Sequence, residues 1–194
     1  MLTIKRMPLG TMAGNCYLVS EASANETLIV DPGDEADFIT RIILERDLKP
    51  KAIILTHGHF DHVMVAGELF LTLGVPIFGN FKDKFLLSRA RKALPVKLNS
   101  NLKEGQKLPL GKYKFVVWET PGHTPGSICL IERKEKIAIV GDLVFADGSF
   151  GRYDFSYSRK DKLLASVKRI LSLAPNTRIY PGHGEEFLIK RFGT

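Results

Sequence analysis

KAIILTHGHFDHV, residues 51–63, is the stretch on which the reading of this chain turns. KAIILT is a compact apolar run with a β-branched pair, which reads as an interior strand. It ends where three histidines and an aspartate begin. His57 and His59 leave the strand end at i,i+2, so both imidazoles point to the same side. Gly58 between them removes the side chain that would crowd a shared ion. Phe60, Asp61 and His62 continue into the start of a helix, which turns the second pair of donors in a new direction. One pair can then serve one ion and the next pair another. Imidazole is the commonest metal-binding side chain near neutral pH, and carboxylate adds a hard anionic donor.

The chain holds five histidines in 194 residues, and the remaining two stand in short Pro/Gly settings, PGHTPG for His123 and PGHGEE for His183. Each follows a run that reads as a strand, YKFVVWET before the first and TRIY before the second. Asp142 closes the apolar strand KIAIVGD in the same way. Four strand ends therefore each offer a nitrogen or carboxylate donor. Buried charge at a strand end needs a partner, and a pair of metal ions would partner all of these groups at once.

Outward from these motifs, LTIKR, NCYLVS and ETLIVD read as short strands, and VDPGD closes the last with a turn. DEADFITRIILERDL places Phe38 with Ile42 and Ile39 with Ile43 at i,i+4, the spacing of an amphipathic helix. VAGELFLTLG predicts a helix stopping at Gly74, VPIFG a short strand and FKDKFLLSRARKAL another helix. YKFVVWET, SICLIE and KIAIVGD predict three more strands. Ser158, with Asp161 three residues on, has the form of a capping box, and Leu163, Leu164, Val167, Ile170 and Leu171 follow along one helix face. Repeats, low-complexity stretches and linkers are absent from the sequence. Strands and helices alternate along the whole length, which predicts a single α/β domain over 1–194 with sites on strand-end loops.

Hydrophobic content of 44%, charged content of 25% and a mean hydropathy of -0.01 belong to a globular chain, and exclude extended disorder. No apolar run approaches the roughly 20 residues needed to cross a bilayer. MLTIKRMPLGT lacks the layout of a secretory leader, so a cytoplasmic location is expected, with no membrane partner. Cys16 and Cys129 sit in apolar strand-like runs and read as reduced buried thiols, not spaced as a zinc ribbon. The net charge of +7, from 28 basic and 21 acidic residues, is spread over the chain as a solvated surface. Charge alone does not separate an anionic ligand from nucleic acid, but the basic and aromatic module of an RNA binder is missing.

In order and with fitting gaps, NCYLV, VDPGD, THGHFDH, PGHTPGS, GD and PGHG make the chain resemble the metallo-β-lactamase superfamily of metal-dependent hydrolases, over nearly its whole length. The resemblance implies a four-layer αββα sandwich. Carried over, His57, His59 and His123 match the ligands of one metal; Asp61, His62 and His183 match those of a second; Asp142 matches the bridging carboxylate. GDLVFADGSFGRYDF is similar to the GD…GRxD stretch of small relatives of glyoxalase II and of persulfide dioxygenases, with Arg152 and Asp154 on the pattern and Tyr153 at its variable position. Arg152 is expected in a structural ion pair. True β-lactamases fit poorly: they are exported, and many use a cysteine ligand where this chain has Asp142. Glyoxalase II itself continues into a helical domain that supplies basic residues for glutathione. Here the sequence stops at Thr194, eleven residues after His183, so glutathione recognition by that route is not expected.

The implied function is a dinuclear metal hydrolase of glyoxalase II type. It would cleave a small, anionic (thio)ester such as an acyl-glutathione with a hydroxide held between two divalent ions. Zinc is the expected ion, and the donors also suit iron or manganese. Asp61, besides ligating, is the expected catalytic residue, orienting that hydroxide. The alternative is an iron-dependent persulfide dioxygenase acting on a glutathione persulfide, with His57, His123 and Asp142 matching its single-iron triad. Oligomeric state has no signal in the sequence.

Overall fold

The strand Gly14–Glu21 is buried at every position, on both faces of its pleat, so its sheet must be covered on both sides. The same holds for Ile128–Glu132 and Ile137–Gly141. The computed structural model, which describes residues 1–88 and 94–189, meets this demand with four layers. One six-stranded sheet runs β1 (Leu2–Leu9), β2 (Gly14–Glu21), β3 (Glu26–Val30), β4 (Lys49–Ile54), β5 (Ile77–Gly79) and β6 (Ser100–Asn101), in that spatial order. The other runs β7 (Lys107–Leu110), β8 (Tyr113–Glu119), β9 (Ile128–Glu132), β10 (Ile137–Gly141), β11 (Arg178–Pro181) and β12 (Phe187–Leu188). The helices are α1 (Ala36–Glu45), α2 (Phe60–Val63), α3 (Ala66–Leu73), α4 (Lys84–Leu87) and α5 (Lys160–Leu171).

Alternation along each strand builds three apolar layers from one sequence. Tyr17, Val19, Val30 and Ile54 of the first sheet meet Phe115, Val117, Leu130 and Ile139 of the second in the central layer. Their neighbours Cys16, Leu18, Ile29 and Ile53 face outward onto Ile39 and Ile43 of α1 and Leu69 of α3. Cys129, Ile131, Ala138 and Val140 face the other way, onto Leu163, Val167 and Ile170 of α5. The fold is thus the αββα sandwich expected from the resemblance. The two cysteines are buried and free, on opposite outer faces. No helix among the described residues is long and apolar enough to cross a membrane.

Strand direction decides where the loops gather. β3 and β4 are parallel neighbours, joined through α1, so both end at one edge. β8 and β10 each run antiparallel to β9, and β11 runs parallel to β10, so β8, β10 and β11 also share an exit edge. These two edges meet: Ile128 donates its amide to the carbonyl of Thr56 at 2.8 Å, and Asn15 to that of Gly182 at 2.7 Å.

Two sequence expectations are corrected, and three strands carried no sequence signal. Ser158 does not cap α5: Arg159 holds the cap position without a side-chain bond, and the Ser158 hydroxyl donates to the carbonyl of His123 at 2.7 Å. FKDKFLLSRARKAL is not one continuous helix over its described part; a 3-10 turn at Phe81–Asp83 precedes the single turn of α4, and residues 89–93 lie outside the described residues. The strands β6, β7 and β12 carried no recognisable run: two have only two residues, and Lys107–Leu110 contains a proline that a central strand would not tolerate.

Candidate metal centre

Each predicted donor is set in place by a backbone device at a strand end. After β4, His57 and His59 occupy the loop, with His59 capping α2, whose first turn carries Asp61 and His62. His123 lies in the turn between β8 and β9, Asp142 directly follows β10 and His183 follows β11. The buried Asn15 amide donates to the carbonyls of Pro181 at 2.9 Å and Gly184 at 2.8 Å, clamping the chain on both sides of His183. All seven sequence-predicted residues are brought together.

They fall into two donor groups, His57, His59, His123 and Asp142 in one, and Asp61, His62 and His183 in the other; a third, fully buried group joins His57 and His62 to Asp31 behind them. In the first, His123 Nε2 is 2.8 Å from His59 Nδ1 and 3.6 Å from Asp142 Oδ2. In the second, His62 Nε2 is 3.2 Å from His183 Nε2, and His183 Nε2 is 3.3 Å from Asp61 Oδ2. Asp142 also reaches the second group, at 3.5 Å from His62 Nε2 and 3.7 Å from His183 Nε2, so it stands between the two.

The donors fit metal ions. Tetrahedral nitrogen and oxygen ligands about 2.0–2.1 Å from an ion lie about 3.3 Å from one another, within the spread of these separations. His57 Nε2 and Asp142 Oδ1 are buried polar atoms with no hydrogen-bond partner, an arrangement that costs free energy unless a cation accepts them.

Ring orientation is fixed from behind. His123 Nδ1 donates to the carbonyl of Arg152 at 2.7 Å, leaving the Nε2 lone pair towards the cluster. The Thr56 hydroxyl donates to Asp31 Oδ2 at 2.6 Å, so it can only accept from His57 Nδ1 at 3.1 Å. His59 Nε2 meets the Tyr157 hydroxyl at 2.9 Å, and His62 Nδ1 lies 3.3 Å from Asp31 Oδ2. Burial and the neighbouring imidazoles push His57 well below the usual histidine range; burial, then His123, takes His59 down to about 4. Both rings are therefore neutral at pH 7, the state in which an imidazole can donate to a metal. Without a bound ion, burial opposes ionisation of Asp61, yet its hydrogen bond with His183 and the nearby His62 hold it down at about 2; burial likewise opposes the charge of His62, but Asp142, Asp31 and Asp61 raise it to about 9, a proton that a bound ion would displace.

Three contributors escaped the sequence reading. Asp31 accepts from the amide of Thr56 at 2.7 Å as well as its hydroxyl, and so ties β3 to the ligand loop. A signal existed: like Asp142, it closes an apolar strand. Asp83 accepts from the amides of Gly58 at 2.9 Å and Gly126 at 2.6 Å and from the Thr124 hydroxyl at 2.6 Å. In the context KDK it reads as solvated surface, and nothing local betrays it. Tyr157 had no signal either. Arg152 does make the expected ion pair, bidentate with Asp154 at 3.0 and 2.7 Å.

A cleft of about 770 Å³ opens over the donors, lined by His59, Asp61, His123, Asp142 and His183. Its remaining wall comes from Met12 in the β1–β2 turn, Phe60 in α2, Met64, Leu86 in α4 and the segment from Phe145 to Tyr157.

The sequence profile described as Metallo-beta-lactamase superfamily matches residues 9–183 of this chain. Hydroxyacylglutathione hydrolase GloC of Haemophilus influenzae is 37% identical over 94% of this chain and 91% of its own length. Among solved structures, the B3 metallo-beta-lactamase BLEG-1 superposes with a TM-score of 0.87 at 31% identity, covering 97% of this chain and 95% of that one. TTHA1623 in a di-iron-bound form superposes with a TM-score of 0.85 at 35% identity, covering 96% and 95%.

Proposed function

The chain belongs to the metallo-beta-lactamase superfamily, and from that premise we propose that it is a cytoplasmic dinuclear hydrolase of the glyoxalase II-like branch that cleaves small-molecule thioesters. The observation that carries this reading is the pair of donor groups sharing Asp142 on the floor of an open cleft. Likeness to a protein named as a hydroxyacylglutathione hydrolase, over 91% of that protein's length, supports the choice of thioesters.

In this reading His57, His59 and His123 would hold one divalent ion and Asp61, His62 and His183 the other, with Asp142 within reach of both groups. Two such ions, when bound, polarise a carbonyl and lower the pKa of water from 15.7 towards about 7. The protein's own part is orientation. Asp61, kept ionised, faces the cleft and accepts a hydrogen bond from the attacking water. All five imidazoles are committed to the donor groups, so none is left to activate a serine. The water oxygen ends on the acyl carbon and the C–S bond breaks; one water proton goes to the departing sulfur and the other to solvent, giving carboxylate and thiol. Zinc is the ion we assign; the di-iron state of TTHA1623 makes iron the competing one. Two dications add to a chain already at +7, which favours an anionic substrate; hydrolysis insensitive to ionic strength would remove that part.

A second reading, the iron-dependent persulfide dioxygenase, draws on the grouping of His57, His123 and Asp142 and on the Arg152–Asp154 pair. One sample decides. Metals are counted per chain, then hydrolysis of an acyl-glutathione, oxygen uptake with glutathione persulfide and opening of a cephalosporin are measured. Two metals with thioester cleavage is the expected outcome. One iron with oxygen uptake, or cephalosporin turnover that exceeds thioester turnover, overturns it.

A further inference from the structure

The walls over the donor groups do not suit a small hydroxyacyl substrate. Met12, Phe60, Phe145, Phe150, Phe155 and Tyr157 supply most of the cleft beyond the ligands. Three of them stand open to solvent, Met12 at 55%, Phe60 at 53% and Phe150 at 39% exposure. Exposed apolar side chains scattered singly are ordinary, but a contiguous set around a reactive centre marks a binding surface. These come from three separate segments, the β1–β2 turn, α2 and the loop before α5, and converge on one cleft.

The aromatic wall is also tied to the centre. Phe155 and Tyr157 stack with ring centroids 5.3 Å apart and planes 9° apart, and the Tyr157 hydroxyl meets His59 at 2.9 Å. Its shape is therefore set by the same contacts that orient a ligand. Polar recognition is sparse in comparison. Among the described lining residues, the single cation besides the imidazoles is Arg152, whose guanidinium is engaged by Asp154 and lies 4.5 Å from the centroid of the Phe155 ring. The volume of about 770 Å³ lies inside the roughly 300–1,000 Å³ range of small-molecule sites and far exceeds what a two- or three-carbon acyl group fills.

We propose that this cleft selects thioesters with a bulky apolar acyl group, a medium-length alkyl chain or an aryl group, over small hydroxyacyl thioesters. The inference rests on the thioester hydrolase reading above. Reaction places the acyl carbonyl at the donor groups and the acyl chain along the aromatic wall. Water adds its oxygen to the acyl carbon, the C–S bond breaks and the thiol leaves with a proton.

The test uses the metal-loaded full chain and N-acetylcysteamine thioesters, which keep the thiol half constant. Each buried methylene is worth about fourfold in binding, so kcat/KM should rise at least about 30-fold from acetyl to octanoyl, and phenylacetyl should exceed acetyl. Phe60→Ala and Phe150→Ala, at partly exposed positions that melting curves check for folding, should each lower the octanoyl-to-acetyl ratio about tenfold. A flat series, or the lactoyl thioester of N-acetylcysteamine cleaved better than the octanoyl one, overturns this inference and leaves the hydrolase reading standing. If no thioester is cleaved, the hydrolase reading fails instead, and calorimetry decides the cleft. Octanoate binding at least tenfold tighter than acetate sustains an apolar acyl site, and equal binding removes it.

Discussion

Three donors converge on the buried carboxylate of Asp83: the amides of Gly58 and Gly126 and the hydroxyl of Thr124. Gly58 lies between His57 and His59, and Thr124 follows His123, so a single side chain holds two ligand loops in register. In Asp83→Asn the amide oxygen can satisfy the two donors now sharing Oδ2, but the new NH₂ then faces the amide of Gly126. Two buried donors without an acceptor cost about 1–3 kcal/mol. The melting point should fall accordingly, with metal affinity reduced, by calorimetry and metal titration; a variant that binds metal as tightly as the parent would show the loops to be held elsewhere. Asp61→Asn tests the proposed orienting role: in samples that retain both metals, turnover should fall at least about 100-fold. Full turnover with both metals retained would remove Asp61 from the mechanism. His57, His59, Asp61 and His62 were legible as donors because their spacing is local. Asp83 was not, because its partners lie 25 to 43 positions away.

At the scale of elements, α2 and the entry and second turn of α5 act as fixtures for the candidate donors. The carbonyl of Asp61 packs so tightly on the VDPGD turn that a Cβ on Gly33 would stand 1.8 Å from it. Gly33→Ala should shift α2, costing about 1–3 kcal/mol and weakening the metal site; unchanged melting and metal content would mean the turn yields freely. The residues leading into α5 and Ser166 in its second turn hold the PGH turn by three bonds: Arg159 amide to the Gly122 carbonyl at 2.8 Å, Ser158 hydroxyl to that of His123 at 2.7 Å, Ser166 hydroxyl to that of Pro121 at 2.9 Å. Ser158→Ala separates this role from capping. Loss of a cap would lower stability by about 1 kcal/mol, whereas loss of the clamp should weaken metal binding about tenfold with melting nearly unchanged. The helices α1 and α5 were readable from their apolar periodicity. The Ser158 hydroxyl was misread because a capping pattern describes which bonds are available locally, and a distant carbonyl competed for this one.

For the whole molecule, the donor groups sit on a seam between two sheets whose apolar layers contain none of the donor residues. The central layer alone joins side chains from both sheets, with Tyr17, Phe115, Val117 and Leu130 fully buried. Chelation should therefore leave the far-ultraviolet circular dichroism intact. It should still remove the stabilisation given by a ligand bound only to the folded state, about 4 kcal/mol when its concentration is 1,000 times Kd. For a chain of this length that corresponds to a fall in melting temperature of roughly 8–16 °C, reversed by adding the ion back. Complete unfolding on chelation would show that the ions, and not the apolar layers, hold the sheets together.

The sequence by itself determined the donor chemistry, the strand ends that carry it and the layered α/β architecture, because these rest on residue type, short spacing and periodicity. Only the tertiary structure decided how β3, β4, β8, β10 and β11 bring their ends to one seam, how Asp31 and Asp83 lock the loops, and that the cleft above is walled by aromatic rings. Those features depend on which distant segments pack side by side, and that follows from burying three apolar layers at once.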